Sequence, residues 1–406
     1  MMAVRADEPR LDLLRSLGAG APELEELQRY NQNHFNLDAL EDALALPLPD
    51  EPFVEAWEAY AAAAARLGVF EVLRDRLVQL RFPVRAGISA TVEYAAATRR
   101  GTPPPVGEDA LTLRAPERLR LWLHPTAAGR IPVLVCGERT DFLALVRALA
   151  RRNEPAGIAD SLGALMLSGY NNWDRVARLR RRFEQGELAI PGVATWSAAF
   201  ARIRERKELY QDRLLLLSTG PYSGVAASEL GLPEQQWQQL SLAIRLEHEC
   251  AHYITRRLLG SMRNNLLDEL IADYAGIVAA ARELRAGWLP RFLGVEHPHR
   301  LRPGGRLENY RGDPPLSEGA FHILQHLARR ACWNLEAADR TLGDDDRSPA
   351  GRSRMILALA GLTLEDLAAD DGNERIRARY DATRVVWTGP VDVRPVPLAA
   401  PPPGGT

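Results

Sequence analysis

Apolar and polar positions divide the chain into stretches of different period. Residues 53–80, FVEAWEAYAAAAARLGVFEVLRDRLVQL, are rich in alanine and leucine, with apolar residues at helical spacing. GISATVEYAAATRRG (87–101) predicts a second helix, capped by Ser89 and closed by Gly101. TPPPVG (102–107) breaks the pattern. A period of two follows: RLRLWLHP (118–125) puts Leu119, Leu121 and Leu123 on one face, as a half-buried strand does. IPVLVCG (131–137) is a short apolar run ended by glycine and predicts another strand. TDFLALVRALARRNEP (140–155) returns to helix and stops at proline. DRLLLLSTGPYSG (212–224) predicts a strand leading into a turn-rich loop.

Helical spacing dominates the rest. PEQQWQQLSLAIRLEHECAHYITRRLLG (233–260) predicts a long helix, with Pro233 suited to its first turn and Gly260 to its end. After SMRNN, LLDELIADYAGIVAAARELRAG (266–287) predicts a second. Further helices are expected over 317–338 and 353–383, with GDDDRSPAG (343–351) as a loop. The fold class is therefore α+β. A mainly helical region is expected over 1–107, a second domain over 108–390 that carries the candidate chemistry described below, and a disordered Pro/Gly-rich tail over 391–406.

Composition narrows the function classes. Of the 406 residues, 46% are apolar and 26% charged, an ordinary globular balance. A net charge of −2 gives no field for nucleic acid or an anionic membrane. The three cysteines, Cys136, Cys250 and Cys332, are too few and too far apart for a disulfide framework. No apolar h-region follows the start and no window suits a membrane span, so a cytoplasmic location is expected.

The candidate chemistry lies in RLEHECAHY (245–253). His248 and His252 are four apart, so both imidazoles share one helix face and can aim nitrogens at one point. Zn²⁺ accepts such nitrogens, usually with a third protein ligand and one open position. Glu249 beside the first histidine is placed to take a proton from water there. Apolar Leu242, Ile244, Leu246, Cys250, Ala251 and Ile254 surround the histidines, so the helix is expected to be buried and its polar groups to need partners. Glu269 and Asp273 are again four apart on the next helix, followed by Gly276, where another helix can approach closely. Glu269 is the preferred third ligand, with Asp273 holding His248 through its other nitrogen. Depth measured from the connector favours Asp273 as the ligand instead.

HExxH followed by a helix bearing ExxxD resembles the gluzincin type of zincin metallopeptidase, over roughly residues 210–285. The resemblance implies zinc held by His248, His252 and Glu269, with Glu249 and Asp273 in catalytic roles. It implies a zincin-like core of a small sheet and two active-site helices, and hydrolysis of a peptide or small amide substrate. It also implies an edge strand just before the motif helix, where RLLLLSTGPYSG stands, to pair with extended substrate. Asp268 departs from the asparagine usual before the ligand glutamate, and the spacing to Glu269 is short. RLEHECAHY, GSMRNNLLDELIADY and SGYNNWDR also resemble an uncharacterised bacterial family, which implies no activity.

Tyr310, His322, Tyr222 and Arg245 are candidates to stabilise an oxyanion, each better read as structural. Tyr170, Asn171, Asn172, Trp173 and Asp174 can line a pocket or form a capped turn anchored by Trp173. Arg263 in SMRNN belongs to a polar connector, and His322 with His326 to a surface or interhelical pair. Cys250, two residues from His248, points away and packs in the core. The competing function is a non-catalytic scaffold whose metal is structural.

Overall fold

A computed structural model describes residues 8–40, 43–285, 287–298 and 300–389. The tail over 391–406 expected to be disordered lies outside these residues. The chain is mixed α+β and forms two compact units, Pro49–Thr219 and a discontinuous one joining Met1–Leu48 to Gly220–Thr406. The break at 102–107, where a boundary was expected, falls within the first of these.

The Pro49–Thr219 unit is built on four strands: β1 (Arg120–His124), β2 (Ile131–Cys136), β3 (Ala164–Asn171) and β4 (Gln211–Ser218). Their order is β1-β2-β4-β3, with β2 and β4 parallel and both outer pairings antiparallel. All of β2 is buried, and so is the run Leu214–Leu217 in β4. A parallel pair covered on both faces reads as a continuous apolar run instead of an alternation, which is why four leucines stand together. This corrects one expectation. The strand before the motif helix is an interior strand, and over Leu215–Leu217, the part nearest the motif helix in sequence, both its backbone edges are already paired and cannot receive an extended peptide.

Helices Val54–Leu67, Val69–Arg76 and Arg139–Ala150 supply Trp57, Tyr60, Phe70, Leu73, Phe142 and Leu145 to the core over this sheet. The stretch read as one helix over 53–80 is broken at Gly68, whose φ of 87° lies outside the helical region. The helix expected from Gly87 starts later, at Val92. Thr91 rather than Ser89 accepts the capping bond, from the Tyr94 amide, and Gly101 closes it in the left-handed region.

The second unit is mainly helical. Helices Glu8–Ser16 and Ala21–Tyr30 belong to it, as does a short parallel pair of strands, Leu44–Leu46 with Val385–Trp387. Its centre is the motif helix (Glu234–Leu259), ended by Gly260 in the left-handed region, and the acidic helix (Asn265–Ala281). The acidic helix ends at Arg282, earlier than its apolar pattern predicts. Helix Glu318–Asp339 starts at the Ser317 cap, and the stretch 353–383 resolves into Pro349–Ala360, Leu364–Ala368 and Gly372–Ala382. Among the described residues no helix is long and apolar enough to cross a membrane.

Candidate metal centre

The motif and acidic helices run antiparallel, with Ile244 facing Gly276, His248 facing Asp273, and His252 facing Asp268 and Glu269. Gly276 makes the approach possible: a Cβ there would stand 2.6 Å from the Ile244 carbonyl oxygen and 3.3 Å from the His248 amide. The register also removes the depth argument for Asp273 as ligand. The residues between Gly260 and Asn265 carry the chain back along the motif helix before the acidic helix begins, so Glu269 already lies level with His252.

Three side chains converge. His248 Nε2 and His252 Nε2 are 3.1 Å apart. Glu269 Oε2 lies 3.5 Å from the first and Oε1 lies 3.7 Å from the second. One ligand atom from each residue falls within 4.8 Å of the other two. Two nitrogens at about 2.0–2.1 Å from one tetrahedral ion are about 3.3 Å apart, so the triangle fits a zinc-sized cation.

The outer atoms of this triangle are held in turn. Asp273 Oδ1 lies 2.9 Å from His248 Nδ1, which makes that nitrogen the donor and leaves Nε2 its lone pair. Tyr222 donates to the same oxygen at 2.6 Å and accepts from Arg306 Nη1 at 2.7 Å. Arg306 Nη2 donates to Asp273 Oδ2 at 2.6 Å and stands 3.7 Å from Glu269 Oε2. Tyr310 donates to Glu269 Oε2 at 2.6 Å, and its own carbonyl accepts from Tyr30 at 2.6 Å. Asp268 Oδ2 lies 3.3 Å from His252 Nδ1, an ion-pair distance without hydrogen-bond alignment. His252 Nδ1 and Asp268 Oδ1 are buried without a hydrogen bond.

Charge is as uneven as the hydrogen bonding. Glu249, Asp268, Glu269 and Asp273 surround the two imidazoles, and Arg306 is the guanidinium among them. Burial alone would push the His252 pKa down, yet Asp268, Glu269 and Glu249 raise it to about 10. Burial would raise the Asp273 pKa, but Arg306 and His248 hold it well below the usual carboxylate range. Glu269 is likewise held low by both histidines, Arg306 and Tyr310 against the opposing effect of burial. Burial keeps the Tyr310 and Tyr222 phenols protonated, as donors to those carboxylates must be. A divalent cation fits this donor set: it offsets the excess of carboxylate and, in place of the His252 proton, takes up the two facing nitrogens.

Glu249 is half-buried and makes no hydrogen bond or ion pair among the described residues. Cys250 is buried, burial pushes its thiol far up, and it is not in the convergent set. Arg245 lies 3.4 Å and 3.3 Å from the carbonyls of Gly220 and Pro221 and over the Tyr222 ring, so it holds the loop that delivers Tyr222. In that loop Ser223 has a φ of 53°, a strained value for a residue with a side chain, and its hydroxyl accepts from Arg306. Arg263 is exposed, and His322 faces His326 on another helix.

The reading of residues from sequence missed Arg306 and the part played by Asp268. Arg306 sits in a short 3₁₀ turn (Arg306–Tyr310) with no local signal to mark it. Asp268 did carry a signal, being adjacent to Glu269 and so directed at the other nitrogen of the same imidazole. The SGYNNWDR stretch is a capped turn in the Pro49–Thr219 unit. Asn172 accepts from the amides of Asp174 and Arg175, and Trp173 donates to the Thr98 carbonyl at 2.8 Å.

No curated protein and no solved structure matches the chain. A family model does match, over residues 12–371, a span that takes in the whole Pro49–Thr219 unit, most of the other and every residue of the centre. The chain therefore belongs to the DUF7005 family, a family of unknown function.

Proposed function

We propose that the chain is a zinc-dependent hydrolase with a zincin-like core of the gluzincin type, most readily a metallopeptidase. The observation that carries this reading is the His248–His252–Glu269 triangle, whose edges suit one tetrahedral ion. Bound there, zinc supplies Lewis acidity toward an amide carbonyl and toward water. Glu249, uncommitted to any partner beside His248, takes a proton from water and returns it to the leaving nitrogen. Asp273 holds His248 by Nδ1, and Asp268 faces Nδ1 of His252. Arg306 keeps Asp273 ionised, and Tyr310 fixes one Glu269 oxygen.

The substrate is a peptide or small amide, with no part for nucleic acid or membrane. Because β4 is interior, this half of the proposal rests on the metal chemistry alone. A cytoplasmic location goes with it, since the three buried cysteines are all free. The near-enclosure of His248 and His252, 7% and 6% exposed, favours one alternative, a scaffold with a structural metal used for binding or sensing.

The deciding experiment loads wild type and Glu249→Gln with zinc and assays both against a peptide and amide library. Glu249→Gln should keep its zinc and lose turnover by about 10²–10⁴-fold. A variant with full turnover removes Glu249 from the mechanism. A zinc-loaded wild type inert toward the whole library leaves the structural-metal reading standing.

A further inference from the structure

We propose that His322 and His326 form a second, solvent-open site for a divalent transition-metal ion. The pair stands four residues apart on helix Glu318–Asp339, with Nε2 atoms 3.2 Å apart. Their rings lie 4.8 Å apart at 81°. The buried pair His248 and His252 shows 3.1 Å, 4.8 Å and 83°. The chain thus builds one two-nitrogen chelate twice, once enclosed by carboxylates and once facing water. A nitrogen separation of about 3.3 Å is what one tetrahedral ion asks of two imidazoles.

Arg329, three residues beyond His326 on the same side of the helix, donates to the carbonyl oxygens of Val295 at 2.9 Å and Pro298 at 2.7 Å, and to that of His297. These bonds pin the exposed segment carrying His297 to the helix, and Pro298 and His326 line one cavity of about 500 Å³. An all-imidazole donor set suits copper(II), nickel(II) and zinc, and is poor for magnesium or calcium. The nearby Arg329 guanidinium opposes a cation, and no surplus of carboxylate offsets it as at the buried centre. The site is therefore the weaker and faster-exchanging of the two.

The probe is the metal alone, on the full chain. Calorimetric titration of zinc into chelator-treated wild type should reveal two equivalents, one tight and one weak. His322→Ala should lose the weak equivalent and keep the tight one; His252→Ala should do the reverse. Untagged wild type should be retained on a nickel-charged chelating resin, with retention lost in His322→Ala. A wild type that takes up one equivalent overturns the proposal, as does a His322→Ala protein that still takes up two and still binds the resin. His322 is exposed, so its replacement leaves the fold intact, with an unchanged circular dichroism spectrum as the control. The His322→Ala comparison decides the matter even if His252→Ala does not fold.

Discussion

Each unit buries a cluster of charged and polar side chains, and the two clusters are built on opposite plans. In the Pro49–Thr219 unit, Asp212 is fully buried and receives Trp57 Nε1 at 2.8 Å, Asn172 Nδ2 at 2.7 Å and Arg175 Nη1 at 2.5 Å. Arg175 spends its remaining donors on the carbonyls of Gln211 and Glu208, and Tyr60 closes the set on Asn172 and Asp174. Donors meet acceptors and one cation meets one buried anion. In the other unit two imidazole nitrogens and a carboxylate converge on one point, with four carboxylates around one guanidinium. Burial of charge is common to both, so burial does not mark the candidate metal centre. What distinguishes it is the excess of carboxylate around two facing imidazoles.

The sharpest way to break this comparison is to remove one member from each cluster. His252→Ala should abolish tightly held zinc, measured as metal surviving gel filtration, while Asp212→Ala should leave it in place. Asp212→Ala should instead lower stability by about 3–5 kcal/mol in denaturant unfolding, because Arg175 is left buried without its anion. Metal loss in the Asp212 variant would show that the clusters are not independent.

A smaller effect is expected at Gly276→Ala. The added methyl meets the Ile244 carbonyl oxygen, so the helices must part, at about 1–3 kcal/mol. Because that contact lies one turn from His248, zinc affinity should fall along with stability. Loss of stability with unchanged affinity would show that the triangle tolerates the shift.

The smallest effect separates the clusters by pH. Burial pushes the Asp212 pKa up, outweighing Arg175, Asn172 and Trp57. The folded state therefore binds that proton more tightly than the unfolded chain, and wild type loses stability as pH rises from about 4 toward the raised value. Asp212→Asn has no such proton, so its disadvantage against wild type should shrink over that window in denaturant titrations. A constant difference would mean that Asp212 titrates normally.

Much of this was legible because the signals are local. The i,i+4 pairs, the Gly101 and Gly260 terminators and the smallness of Gly276 each act within a turn or two of helix. The interior place of β4 was not, since pairing order depends on β3, whose ALMLSGYN carries a bulge between Ser168 and Tyr170 and no clean alternation. Nor was Arg306, which reaches Asp273 through tertiary folding. The division at Leu48 and Thr219 has no composition shift to announce it, because the first unit is inserted into the second.

That insertion sets an order of events on the ribosome. Residues 49–219 are synthesised as one block, and their sheet needs nothing that comes later. The strand Leu44–Leu46 is made before any of them, yet its partner Val385–Trp387 emerges only after all of them. Its edge must therefore wait unpaired until the inserted block and the helices after it are made, and the HExxH helix leaves the ribosome before its own unit can close.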